Sequence, residues 1–254
     1  NRLSIGLQSA NDGERRILGR RAGKSEVQSV VSRAKKAGIN NISLDVMLGV
    51  PGQTKESLKS TLDFCISSGV PHLSCYILKI EENTPFFRMR DKLPFPSDDD
   101  TADMYLFMCE YLEEHGIMQY EISNFAVPGF ESRHNLKYWH DEEYLGIGAS
   151  AHSFLGGKRT YYPRDIEYFI SGNERLTEGD GGDEEEFCML ALRLREGLTQ
   201  ERFYARFHHE IPQKMFESAK QYEKYGLCSC ESGGISLTRR GFLLSNSVIS
   251  EIIL

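Results

Sequence analysis

The sequence predicts an α/β fold, built from parallel βαβ units and followed by a small helical domain. Three observations carry this. Strand-like and helix-like stretches alternate over residues 1–125. The pattern then breaks at a long connection, residues 129–157, rich in His, Tyr and Gly. Beyond about Arg164 the apolar periodicity is helical.

Residues 2–7 read as a buried strand that ends at Gln8. Residues 25–37 carry Val27, Val30, Val31 and Ala34 at helical spacing, with Gly38 as the stop. NISLDVML, residues 41–48, is a second strand, and the chain turns at Gly49-Val50-Pro51-Gly52. Thr54 caps a helix that runs to about Ser68. HLSCYILK, residues 72–79, is a third strand. Ser97 caps a helix with an acidic start, whose apolar face is Met104, Phe107, Met108, Tyr111 and Leu112. Residues 119–125 form a fourth strand. Four such units are half of an eight-unit barrel or most of an open sheet. In both, ligand chemistry belongs at the C-terminal strand ends, where Gln8, Asp45, Lys79 and Asn124 fall. Helices follow at residues 184–195, 199–208 and 211–225, then a wing at 226–237 turning at Gly233-Gly234, and a last helix capped by Thr238. The expected domains are residues 1–160, a partial barrel with its connecting loop, and residues 161–254, a helical, winged-helix-like domain. A winged helix does not imply DNA binding.

With 254 residues, 40% hydrophobic and 26% charged, the chain can bury a core without disulfides. A net charge of -7 argues against a nucleic-acid partner, which needs a basic face. The apolar runs are strand-length, so no transmembrane segment is expected. Of the cysteines 65, 75, 109, 188, 228 and 230, only Cys228 and Cys230 are close, and no Cys or His pair supports them. Scattered thiols fit a cytoplasmic location. The chain opens at Asn1, on a strand, and reads as a fragment. The exposed edge of that strand is expected to pair with a second copy or another chain.

Gln8, Arg20 and Asp45 form the first constellation. Arg supplies a bidentate fork for a carboxylate, and Asp accepts from vicinal hydroxyls. From spacing alone, a surface Arg beside a strand-end Asp is the more ordinary reading. Yet Asp45 sits in an otherwise apolar strand. Burying its charge unpaired is costly, so it has a partner or faces a polar cavity.

NRLSIGLQSAND, LGR ending at Arg20, SLDVMLGVPGQT, YILKIEENTPF, YEISNFAVPG, HNLKYW and YLGIGASAHSF occur in this order, followed by FCMLALRLREGL, YGL and LTRRGFLLSN. Over its whole length the chain resembles the oxygen-independent coproporphyrinogen oxidase family of radical S-adenosylmethionine proteins. YILKIEENTPF and HNLKYW resemble its heme-chaperone, HemW-like branch. The resemblance implies a radical-SAM-type barrel, S-adenosyl-L-methionine and a [4Fe-4S] cluster in the full-length protein, and heme or porphyrin passed to an acceptor apo-protein. The alternative it implies is a coproporphyrinogen III oxidase performing radical decarboxylation in porphyrin biosynthesis. A third reading is a folded remnant without activity.

By resemblance Gln8, Arg20 and Asp45 match S-adenosylmethionine contacts. Lys79 and His152 match further contacts where the oxidase branch carries Ala and Ile, so only backbone contact carries over. His134, Asn135, Tyr138 and Trp139 match the motif implicated in heme binding. His134 is the preferred iron ligand, Tyr138 and Trp139 stack on porphyrin, and Arg133, Lys137 and Arg159 meet its propionates. On the residues alone, a His in an aromatic loop is more often structural; His152 is a second candidate for the heme iron, with a buried backbone-bonded imidazole an equal alternative. Two departures stand out. The family's C-x-x-x-C-x-x-C cluster motif is absent, so this chain is not expected to ligate the cluster, and no catalytic residue or enzymatic activity is assigned to it. Ala22 stands where relatives often carry His.

Overall fold

Residues 1–231 and 233–253 are described by the computed structural model. The chain divides into two compact units, Asn1–Glu131 and Ser132–Leu254. The boundary expected after residue 160 falls inside the second unit, where it would cut a strand spanning Lys158–Tyr161.

In the first unit β1 (Arg2–Gln8) leads through α1 (Asp12–Ile17) and α2 (Lys24–Lys36) to β2 (Asn41–Leu48). Next come α3 (Lys55–Ser67), β3 (His72–Ile77), the short α4 (Pro85–Met89), α5 (Asp98–Glu114), β4 (Met118–Gln119) and β5 (Asn124–Ala126). The five strands make one sheet in the order β1-β2-β3-β5-β4. β1, β2 and β3 are parallel. The expected fourth parallel strand is instead a hairpin, with β5 antiparallel to both β3 and β4. The link between β4 and β5, residues 120–123, is too short for a crossover, so β5 must return antiparallel. β5 takes the slot beside β3, and β4 moves to the outer edge.

Each long strand alternates in chemistry. Ile42, Leu44, Val46 and Leu48 are fully buried, as are Leu73 and Cys75 on β3. Burial of each such aliphatic side chain is worth about 1.5–3 kcal/mol. α2 packs on β1, and α3 and α5 on β2, through Val27, Val31, Leu58, Leu62, Met108 and Leu112. The intervening residues are mostly polar, with Gly6 and Met47 the exceptions, and lie in register across the sheet. Ser4, Ser43 and His72 form one row, and Gly6, Asp45, Ser74 and Asn124 the next. β1 is an edge strand, so its Leu3 and Ile5 are only half-buried, against the expectation of a buried strand.

The helix termini follow local chemistry. Thr54 accepts from the Ser57 amide at the start of α3, and Ser97 from the Asp100 amide at the start of α5. The acidic first turn of α5 complements its helix dipole. Phe107 and Tyr111, expected on the apolar face of α5, are half-exposed and lie beneath the ammonium groups of Lys55 and Lys59.

The second unit opens with α6 (Arg133–Trp139) and a sheet of β6 (His152–Leu155), β7 (Lys158–Tyr161) and β8 (Leu176–Asp180), with α7 (Ile166–Ile170) between β7 and β8. The stretch expected to be a long connection therefore contains a helix and a strand, and β8 interrupts the expected helical region. α8 (Glu184–Ala191), β9 (Leu198–Thr199), α9 (Gln200–Phe207), α10 (Gln213–Glu223), β10 (Cys228–Ser229), β11 (Gly234–Leu237), α11 (Arg239–Leu243) and α12 (Ser245–Ile253) complete it. Phe187 and Phe203 are buried and form, with Phe207, a tilted and edge-on cluster between α8 and α9. The wing is β10-β11-β9, and Gly233 takes a positive φ before β11. No described helix is long and apolar enough to cross a membrane.

Candidate functional site

The polar face of the first sheet gathers three of the predicted residues. A register shift between Gly6 and Gln8 makes a bulge, and Gln8 adopts a left-handed φ of 66°. This returns the Gln8 amide over Gly6. A Cβ on Gly6 would stand 2.9 Å from Gln8 Nε2 and 4.0 Å from Asp45 Oδ2. Glycine is therefore what admits the amide beside the carboxylate. Gln8 is 5% exposed, and its Oε1 has no hydrogen-bond partner among the described residues.

Asp45 lies within β2, three residues before the strand's end rather than at it. Ser4 Oγ donates to its Oδ1 at 3.1 Å. Burial raises its pKa, while hydrogen bonds from Ser4, Tyr76 and Ser74 and the charge of Arg20 oppose the rise. The Arg20 field thus acts on Asp45, although 25 residues separate them in the chain. Asn124 joins the same row because β5 runs antiparallel, which sets its first residue opposite Ser74 of β3. Its Oδ1 is buried and unpartnered among the described residues. Lys79 is placed differently: its side chain is 82% exposed and makes an ion pair with Glu81 at 2.9 Å.

Orphaned acceptors, a half-buried carboxylate and a guanidinium fit a ligand rich in hydroxyl, amino and carboxylate groups, as S-adenosylmethionine is. A [4Fe-4S] cluster does not fit the cysteines present. Five of the six are buried. Burial pushes the thiols of Cys65 and Cys75 well up and those of Cys188 and Cys228 up to about 12, which disfavours the thiolate that iron needs. Cys228 Sγ donates to Ala219 O at 2.9 Å, a packing role.

In the second unit the HNLKYW run is α6. Ser132 caps it by accepting from the Asn135 amide at 3.4 Å. None of its residues is fully buried, although Leu136, Tyr138 and Trp139 are apolar. His134 and Tyr138 share one face, with the Tyr138 hydroxyl 2.9 Å from His134 Nε2 and the rings edge-on. Tyr138 also meets Tyr144 edge-on at 4.6 Å, and the Arg193 guanidinium lies 5.9 Å from the Trp139 ring centroid. Of the three cations expected to meet propionates, Arg133 is exposed. Lys137 pairs with Glu142 at 2.8 Å. Arg159 is committed to Glu186 at 2.6 Å and to buried Asp141 at 3.5 Å. Arg206 completes that cluster at 3.0 Å from Asp141.

His152 begins β6, and its side chain is 51% exposed, so the buried-imidazole alternative does not hold. Its partner is Glu178 on β8. Sequence reasoning missed Glu178 and the serine rows. The serines had a signal in the alternation of Asn41 through Val46. Glu178 had none, being 26 residues from His152 with no motif joining them.

The first 65 residues match a model of the radical SAM superfamily, and residues 184–244 match the HemN C-terminal domain. The heme chaperone HemW of Lactococcus lactis subsp. lactis (strain IL1403) is 34% identical, with 100% of this chain and 69% of the relative covered. The HemW of Bacillus subtilis (strain 168) is likewise 34% identical over 100% of this chain and 69% of its own length. The solved coproporphyrinogen III oxidase (HemN) from Escherichia coli superposes with a TM-score of 0.78 at 19% identity, over 99% of this chain and 64% of that one. The chain thus spans about two thirds of the length of these proteins, and the HemN likeness is one of fold.

Proposed function

This chain belongs to the HemW family of radical S-adenosylmethionine proteins, and we propose that it binds heme and passes it to an acceptor protein. The observation that carries the reading is α6. It presents His134, Asn135, Tyr138 and Trp139 on a helix with no buried residue, an arrangement that core packing does not require. Tyr138 and Trp139 offer flat apolar surface to a porphyrin. His134 is the axial candidate of this helix. To use Nε2 it must release the Tyr138 hydroxyl.

In this reading the first unit holds S-adenosylmethionine. Asp45 accepts from the ribose hydroxyls, Arg20 takes the methionyl carboxylate, and Gln8 Oε1 accepts from a ligand N–H or O–H. Lys79 contributes through backbone only. When bound, this group supplies the sulfonium from which radical chemistry starts, and the residues here only hold and orient it. The cysteines of this chain do not fit the iron–sulfur cluster, and no step is assigned to one. Cysteines outside any disulfide support a cytoplasmic setting, and the edge of β1 is the surface on which a second copy would add.

The test is a hemin titration followed at the Soret band. Tyr138→Ala and Trp139→Ala should each weaken binding about 5- to 30-fold, the loss of about 1–2 kcal/mol of aromatic contact. Affinity unchanged in both variants would remove α6 from the heme site. A parent chain that leaves free hemin unperturbed would refute the reading itself.

A further inference from the structure

The two candidate imidazoles of the second unit, His134 and His152, differ in which nitrogen is engaged. On His134 it is Nε2, held by Tyr138. On His152 it is Nδ1, 3.1 Å from Glu178 Oε2. An ionised carboxylate only accepts, so His152 Nδ1 carries the proton and donates it, and the neutral ring keeps its lone pair on Nε2. A carboxylate behind one ring nitrogen is the arrangement that fixes tautomer and orientation in metal-ligating histidines and makes the other nitrogen a better donor.

The surroundings of His152 fit a flat apolar ligand. The ring stacks on Tyr161, the residue opposite it on β7, with centroids 5.4 Å apart and planes 19° apart. Behind it runs Gly146, so close that a Cβ there would stand 2.1 Å from His152 O, which keeps that position clear of side chain. Leu145 and Ile147, on either side of this glycine, are 54% and 77% exposed. Leu176, opposite Tyr161 on β8, is exposed as well. Arg175 donates to Gly146 O at 3.4 Å and lies over Tyr162, so a cation is anchored at the same place. Three strands thus contribute the imidazole, its shelf and its orienting carboxylate, with apolar surface beside them.

We propose that His152, oriented by Glu178, forms an axial bond to the iron of bound heme through Nε2. This rests on the heme-binding reading above and names a ligand that the α6 motif does not contain. The step is a dative bond in which the Nε2 lone pair displaces water or hydroxide from ferric iron. No electron is transferred, and the Nδ1 proton stays in its bond to Glu178. Glu178 is a positioning residue, since it acts on the iron only through the imidazole.

The experiment is a hemin titration of the parent chain, His152→Ala, Glu178→Gln and His134→Ala, read by Soret position and by electron paramagnetic resonance of the ferric complex. Circular dichroism confirms folding, which replacement of any of these three side chains, none of them buried, leaves intact. The parent should show a histidine-ligated ferric signature. His152→Ala should lose it and bind hemin at least tenfold more weakly, and added imidazole should restore the signature. Glu178→Gln should keep the histidine signature but raise the ferric/ferrous midpoint potential, because a less basic imidazole stabilises ferric iron less. A signature kept in His152→Ala and lost in His134→Ala would overturn the proposal and leave heme binding standing. A parent that binds no hemin would overturn both.

Discussion

Acid should loosen the first sheet through His72. This imidazole is 1% exposed and bonded at both nitrogens: Ser43 Oγ lies 2.8 Å from Nδ1 and the Tyr120 hydroxyl 2.9 Å from Nε2. Burial, aided by the charge of Arg2, lowers its pKa from 6.5 to about 3. A folded-state value below the unfolded one means that the unfolded chain binds the extra proton. The stability that His72 contributes is then complete above pH 6.5 and is lost as pH falls towards 3. Between pH 7 and pH 5 the loss is about 2 kcal/mol, because each step of one pH below 6.5 costs about 1.4 kcal/mol. His72→Gln keeps a polar group between Ser43 and Tyr120 and removes the titration. At pH 7 the variant should be less stable by about 1 kcal/mol, for imperfect hydrogen bonds. At pH 5 that deficit should vanish or reverse. The assay is hydrogen-exchange protection of the β2 and β3 amides at both pH values, corrected for intrinsic rates. Asp45 and the other carboxylates are common to parent and variant, so the difference isolates His72. A parent-to-variant difference that is the same at pH 5 and pH 7 would refute the argument.

Asp45→Ala should weaken S-adenosylmethionine binding by about 1–3 kcal/mol, the range for hydrogen bonds to a charged group, as read by calorimetry; unchanged affinity would count against its role. Gly241→Ala should lower the thermal midpoint of the second unit, because a Cβ would meet Leu227 O at 1.8 Å, a clash with backbone that no side-chain rotation relieves. An unaltered melting curve would show that the wing and α11 can separate.

Much of the first unit was legible because its signals are local. Alternation of strands and helices, the Thr54 and Ser97 caps and the Gly38 stop each act within a few residues, and the structure places elements accordingly. Errors arose where the outcome depended on distant partners. Residues 118–126 carry strand propensity, but only a connection too short for a crossover turned β5 antiparallel. RHNLKYW reads as loop by composition, since seven residues with two aromatics and an Asn are a poor isolated helix. The Ser132 cap and the contacts of Tyr138 and Trp139 make it one. β8 is a polar pentapeptide, LTEGD, that becomes a strand because β7 supplies its hydrogen-bonding partner. Arg159 looked available to an anionic ligand until its partners Asp141 and Glu186 came from 18 and 27 residues away in the chain.

The sequence by itself determined the α/β class, the order β1, α2, β2, α3, β3 and α5 in the first unit and the family, through motifs whose order and spacing survive without any coordinates. It also determined that one face of each parallel strand is polar, since a period of two is a property of the strand. Only the tertiary structure decided what those polar residues do. Gly6, Asp45, Ser74 and Asn124 become one row because strand register aligns them. Gln8 reaches the row through a bulge. Which nitrogen of His134 and of His152 is engaged depends on Tyr138, one helical turn away, and on Glu178, two strands away. The physical reason is range: propensity and capping act over a few residues, whereas hydrogen bonds, charge and burial at a site are set by neighbours that the fold brings from elsewhere in the chain.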